Sequence, residues 1–383
     1  FYVVVGNYVL EIKGMFFAHW MILFSTSCFA NLLGLNISSS FNSVKVIYIL
    51  IPICIIPQLL FSGIIVPFDK LHPYFASKSE VPLIGNVMAS RWAYEAMTVT
   101  QFKDNKYEKE FFEYNKQMSF ANWKKDQWES NLETKLSNFY RNYQKEGLDK
   151  QKRLEIQRGG EILINEILDE ITYFKSSDLY SPKEIKRLLS TISNRTMQKE
   201  DYSALYNYLG STRDFYRKMY KNAEDKKDKA KRKYIDLDKN AVKKLKLLKK
   251  EKTISSKEYR SYIRLLKKLK DYKFQKFKTA YSNHSLEDFA TNSNTLNFIT
   301  EDETSLIQKK DPVYLDPYKK NYLGAHFYAP TKNLFGIKLD TFNANIFVIW
   351  LMTIFLVITL YFDVLRKILD GSGTLFKILK TKK

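Results

Sequence analysis

Three stretches of the chain run for about 20 residues or more without a formal charge: residues 15–35, 46–68 and 342–362. A bilayer core needs about 20 consecutive apolar residues in a helix, so each stretch predicts a membrane span. Residues 1–10 are equally apolar and predict the end of a fourth span, cut off on its upstream side, in a chain that reads as a piece of something longer. Helices in soluble cores seldom stay charge-free for so long. Trp20, Tyr48, Trp350 and Tyr361 lie at or near the span ends, where aromatic belts form.

Between the second and third uncharged runs the pattern changes to helical periodicity with charge. Residues 107–143 and 154–174 read as helices, broken near Gly147 and at Gly159-Gly160. Ser181-Pro182 reads as an N-cap followed by a proline at the first helical position. Leu205, Tyr208, Leu209, Thr212, Phe215, Tyr216 and Met219 recur at helical spacing. After Ser255 and Ser256, either of which can cap a helix, Tyr259, Tyr262, Ile263, Leu266 and Leu269 repeat the pattern. Two such helices joined near residues 251–256 predict a long antiparallel hairpin or short coiled coil. Residues 281–340, rich in Asn, Ser and Thr with Pro312, Pro317 and Pro330, predict an extended return to the last span.

The fold class expected is therefore an all-α polytopic membrane domain carrying a large, mainly helical extramembrane insertion. Its parts are transmembrane helices and a re-entrant segment (1–103), the insertion (104–340), the last span (341–370) and a basic tail (371–383). Arg366, Lys367, Lys377, Lys380, Lys382 and Lys383 follow the last span, which puts the tail in the cytoplasm and the insertion on the other side.

Composition sharpens this picture in three ways. With 45% hydrophobic and 15% aromatic residues the chain is not disordered, and with two cysteines, Cys28 and Cys54, both inside spans, it is no disulfide scaffold. The net charge of +21 is concentrated in residues 211–280, where 26 basic and 9 acidic residues give +17. That face reads either as a docking site for acidic lipid headgroups, lipopolysaccharide or an acidic envelope protein, or as a solvated lysine-rich surface. No nucleic-acid module accompanies it, and the topology puts it outside the cytoplasm, so nucleic acid is not an expected partner.

The most informative patch is residues 57–101. A span stops at Ser62-Gly63, passes the apolar pair Ile64-Ile65 and breaks at Pro67; a short segment, 82–99, then carries Arg91 and Glu95 four apart on one helical face. That segment is too polar to cross a bilayer unaided, so it predicts a re-entrant helix. The SGxxV pattern at 62–66 and the run RWAYEA at 91–96, with FSTSCFANLLGLNISSSFNS and IPQLLFSG before them, resemble the membrane domain of ABCG-like (White and multidrug type) ABC exporters, in particular a bacterial, Bacteroidetes-like branch.

The resemblance covers about residues 1–103 and 338–370. It implies that Ile64 and Ile65 form an apolar gate and that Ile56 and Leu59 line the cavity of an exporter. That exporter would work by alternating access as a homo- or heterodimer of ABC halves in the bacterial inner membrane, with residues 104–340 in the periplasm. The insertion, and the absence of any cysteine in it, depart from the family pattern.

No phosphate-binding GxxxxGK[ST] and no LSGGQ-like signature occurs, so ATP and Mg are expected only on nucleotide-binding domains not contained in these residues. No catalytic residues and no metal-spaced His/Cys cluster are found. Asn31 and Gln58, with His19, Ser25, Thr26 and Ser27, are polar groups inside spans that read as helix-helix contacts. Two rivals remain open at this point: a machine that moves the outer helical domain mechanically, to extract lipids or lipoproteins or drive an envelope complex, and a membrane-anchored scaffold with a basic coiled coil.

Overall fold

The computed structural model describes residues 1–368 apart from 42, 73–79, 174–180, 303, 318–324 and 335; the expected basic tail at 371–383 lies outside them. The chain divides into two compact units, Phe1–Lys106 with Leu315–Lys383, and Tyr107–Tyr314.

The first unit opens with α1 (Tyr2–Val9), α2 (Phe16–Ser40) and α3 (Val44–Leu60). Helix α2 continues past the apolar run because its polar end bonds back onto the helix: Asn36 Nδ2 donates to the Leu32 carbonyl at 2.9 Å and Ser40 Oγ to the Asn36 carbonyl at 2.7 Å. The uncharged run over 46–68 is longer than its helix, which ends just before the stop expected at Ser62-Gly63. Helix α3 stops at Leu60, after 17 residues, and covers about 26 Å at 1.5 Å per residue.

The reason lies just beyond that end. Ser62 Oγ donates to the Leu59 carbonyl at 2.7 Å, and Gly63 takes a left-handed φ of 81°. A Cβ on Gly63 would stand 2.6 Å from the Phe68 ring, so only glycine fits this turn. Among the described residues two helices are long and apolar enough to cross a membrane, α2 and the last helix, and α3 is the shorter third. A helical turn, α4 (Leu83–Asn86), precedes α5 (Ala89–Lys103), the segment predicted to be re-entrant.

The second unit has its own core. Helices α6 (Glu108–Trp123) and α7 (Glu129–Asn142) are joined without a break by a π-turn at Lys124–Trp128. Helices α8 (Lys150–Tyr173) and α9 (Pro182–Ser193) follow, and Leu132, Leu136, Phe139, Ile162, Leu163 and Leu188 interlock between these elements. The break predicted at Gly159-Gly160 does not occur: α8 runs straight through both. A Cβ on Gly160 would lie 3.1 Å from the Phe139 ring and 3.3 Å from Ile192, so the glycine serves close helix approach instead of ending the helix.

The basic hairpin takes the expected antiparallel form, with one refinement. Its first arm is two helices, α10 (Lys199–Ile235) and α11 (Lys239–Lys250), both packed on the returning α12 (Ser256–Tyr281). Asp238 restarts the arm by accepting the Asn240 N–H at 2.9 Å. A capping box opens α12, with the Glu258 N–H on Ser255 Oγ at 3.2 Å and the Ser255 N–H on Glu258 at 2.7 Å.

Residues 281–340 are not simply extended. Asn283 caps α13 (His284–Thr291) by accepting the Leu286 N–H at 3.1 Å, and Asn292 ends it in the left-handed region. Strands β1 (Ile299–Glu301) and β2 (Leu306–Gln308) then pair antiparallel, with Thr300 opposite Ile307. The Asn, Ser and Thr content of this stretch is partly cap chemistry. In the first unit, β3 (Thr331–Leu334) and β4 (Ile337–Asp340) form another antiparallel hairpin that leads into α14 (Thr341–Tyr361).

Helix α14 packs on α2 and α5. Ile22, Phe29, Trp92, Ala96 and Ile349 are buried there, while Phe24, Leu351, Ile354, Phe355 and Ile358 face outward. Polar groups tie the two long helices. Trp350 Nε1 donates to Ser25 Oγ at 3.1 Å, and Asn36 bridges to the Leu356 carbonyl and to Thr359 at 2.9 and 3.0 Å.

Candidate functional site

The sequence of α5 places Arg91 and Glu95 one helical turn apart, and the structure buries both completely. A buried carboxylate needs partners, and Glu95 draws them from well beyond its own helix. Oε2 accepts Lys332 Nζ from β3 at 2.5 Å and Asn345 Nδ2 from α14 at 2.9 Å, with Arg91 Nη1 at 3.6 Å. Oε1 accepts the Tyr328 backbone N–H at 3.2 Å.

Both cations also approach the Trp92 ring, the Arg91 guanidinium at 3.9 Å and Lys332 Nζ at 4.4 Å. Asn345 also donates to the Trp92 carbonyl at 2.9 Å. The Arg91 guanidinium makes no hydrogen bond among the described residues. Two cations thus share one carboxylate in a closed interior. Closed off from solvent, the arrangement is a joint that binds α5, the β3–β4 hairpin and α14 into one body.

A second joint links α3 to the start of α5. The Ser90 N–H reaches Gln58 Oε1 at 3.2 Å, and Ser90 Oγ donates to the Gln58 carbonyl at 2.5 Å. Gln58 is therefore a helix-helix contact. Around it Ile56, Leu59, Ile64 and Ile65 are all exposed on the surface of the unit. Asn31 is exposed as well, and the neighbouring polar residue that connects helices is Asn36. His19, also expected at a contact, bonds Asn7 through Nδ1 at 2.9 Å, whereas Thr26 bonds only within its own helix.

Lys332 lies in a polar stretch with no sequence pattern to single it out. Asn345 carried a usable signal, since it is a polar residue inside the last uncharged run.

The second unit holds a comparable network that the sequence reading did not single out. Glu166 accepts Trp128 Nε1 and the Leu306 N–H, each at 2.6 Å, while Glu170 accepts Lys124 Nζ at 2.6 Å and the Tyr216 hydroxyl. Burial pushes the Glu166 carboxyl up, against the pull of these donors. Glu129, pressed by burial and by the neighbouring Glu133, is pushed up to about 7 in spite of Arg213. The signal was the placement of Glu166 and Glu170 four apart beside Ile162, Leu163 and Ile167 on the apolar face of α8.

Among the described residues no group of His, Cys, Asp or Glu could hold a metal ion, and both cysteines are free thiols.

Residues 1–102 match the family model of the ABC-2 type transporter. Over this stretch the chain is similar to ABC-2 type transporter membrane domains, and the match does not reach the second unit. Arg91 and Glu95 lie inside the matched stretch, Lys332 and Asn345 beyond it. No curated protein and no solved structure matches the chain.

Proposed function

We propose that this chain is the membrane half of an ATP-driven exporter of the ABCG-like type, working in a dimer by alternating access. The observation that carries the reading is the ABC-2 match over the helices that end in the buried Arg91–Glu95 joint. Nucleotide-binding domains outside these residues would supply ATP, Mg and the driving motion.

Ile64 and Ile65 act as the gate and Ile56 and Leu59 line the path. Exposed apolar side chains at the end of α3 suit a seam that a second half covers, and an apolar constriction closes a pathway by packing and dewetting. The joints at Glu95 and Gln58 let α3, α5 and α14 move together when the halves rearrange.

Cysteine cross-linking tests this directly. In the transporter with its nucleotide-binding domains, and with Cys28 and Cys54 replaced by Ser, Ile64→Cys is expected to cross-link between copies without nucleotide. ATP with vanadate should suppress that cross-link. Absence of any inter-copy cross-link, or a cross-link indifferent to nucleotide, sinks the gate.

A second reading is favoured by the separately packed unit at Tyr107–Tyr314: the engine moves that unit to extract lipids or lipoproteins, or to drive an envelope complex. It expects polar substitutions at Ile64 and Ile65 to leave activity intact and deletion of 205–280 to abolish it. The exporter reading expects the reverse severity.

A further inference from the structure

Helix α12 carries two apolar stripes. One, with Tyr259, Ile263, Leu266, Phe274 and Phe277, is at least partly covered within the hairpin. The other is exposed: Tyr262, Leu265, Leu269 and Tyr272 recur at i, i+3, i+7 and i+10 and are 47%, 55%, 45% and 64% exposed. At helical spacing Lys268 and Lys273 flank this second stripe, one on each side. Across residues 239–281 the hairpin holds 16 basic and 3 acidic residues, a net of +13. Leu247 on α11 adds another exposed leucine among lysines.

We propose that this part of the hairpin, residues 239–281, lies on the headgroup surface of an anionic lipid bilayer. Charge complementarity selects the occupant. A second copy of the same face would bring +13 against +13, which opposes self-association. A soluble polyanion would use the lysines and leave the leucine and tyrosine stripe uncovered.

A membrane surface uses both. Leucines enter the acyl boundary, tyrosines sit at headgroup level, and the long lysine stems run along the apolar face with their ammonium groups on lipid phosphates. The contact rests on residues outside the ABC-2 match and stands whether the chain exports a substrate or moves the outer unit.

The test uses the full chain embedded in phosphatidylcholine nanodiscs and floated with added vesicles. Flotation is expected with vesicles containing phosphatidylglycerol, to be absent with pure phosphatidylcholine, and to weaken as salt rises. Lys268→Gln with Lys273→Gln should lower partitioning about fivefold per lysine. Leu265→Ser with Leu269→Ser should lower it by at least about tenfold. All four side chains are exposed, so melting curves should match the parent's.

Equal flotation with neutral vesicles overturns the proposal. So does an unchanged affinity in the leucine variant together with full competition by heparin, which would make the face a polyanion site. Concentration-dependent self-association that the leucine variant abolishes would assign the stripe to a second copy instead, and also overturns it.

Discussion

The two units are built with opposite exteriors and similar interiors. In the first, the long helices turn Phe24, Leu351, Phe355 and Ile358 outward and keep His19, Ser25, Asn36, Asn345 and Thr353 inside. In the second, Leu132, Leu136, Ile162 and Leu205 are inside and lysines cover the outside. Yet each buries carboxylates against cations and a tryptophan: Glu95 with Lys332, Arg91 and Trp92 in one, Glu170 with Lys124 and Glu166 with Trp128 in the other. The exterior follows the solvent, lipid or water. The interior follows a rule common to both, that a buried charge must be answered nearby.

Breaking the two carboxylate centres tests whether they are equivalent. Glu95→Ala leaves Arg91 and Lys332 in a closed interior without a counter-charge, and should cost about 3–5 kcal/mol, seen as loss of folded protein in detergent by size exclusion and melting. Lys332→Met should be milder, because Arg91 remains to answer Glu95; a loss as large as that of Glu95→Ala would show that Arg91 does not serve as a counter-charge.

In the second unit Glu170→Ala strands Lys124 and the Tyr216 hydroxyl. Lys124 keeps the Trp128 ring at 3.9 Å, so the cost should be lower, about 2–3 kcal/mol, read from chemical denaturation. Equal losses at Glu95 and Glu170 would show that the Trp128 ring does not offset the stranded Lys124.

Helix contacts in the second unit give a finer probe. Gly160→Val should cost about 1–3 kcal/mol through collision with Phe139 and Ile192. Its neighbour behaves oppositely: a Cβ on Gly159 would meet only Lys135 Cγ at 4.0 Å, so Gly159→Ala should stabilise by about 0.5–1 kcal/mol. Similar melting shifts for both variants would mean that α8 does not approach α7 and α9 as described.

The smallest effect is a pH slope confined to the second unit. Glu129 is raised to about 7 from its ordinary 4.5, so the folded unit holds a proton that the unfolded chain has already lost in that window. Its contribution is fully present below about 4.5 and is lost as pH rises through 7. Glu166 and Glu108, both raised by burial, act in the same direction. The melting temperature of this unit should therefore climb as pH falls from 7.5 toward 5, and Glu129→Gln should flatten the climb. A slope of opposite sign would show that Glu129 is ionised and satisfied in the folded state.

What was legible in the sequence followed from local rules. Uncharged runs marked α2 and α14, helical spacing marked α10 and α12, Ser181-Pro182 marked the start of α9, and the i, i+4 pair marked Arg91 and Glu95 as a unit. Each of these is decided by neighbours along the chain, through hydrophobicity, capping or one turn of helix.

The errors have the opposite character. Gly159-Gly160 read as a break because glycine weakens an isolated helix, and only packing against Phe139 and Ile192 turns that weakness into a close contact. The stop at Ser62-Gly63 was legible in those residue types, but hydropathy along 46–68 does not register that the turn closes against Phe68.

Tertiary structure alone brought Lys332 and Asn345, 237 and 250 positions away, onto Glu95. Sequence determines which segments seek lipid, which seek water and where helices start. Which charge answers a buried charge is settled only when the chain has closed on itself, because the free energy of an ion pair depends on distance in space and on the exclusion of water, and neither is written along the chain.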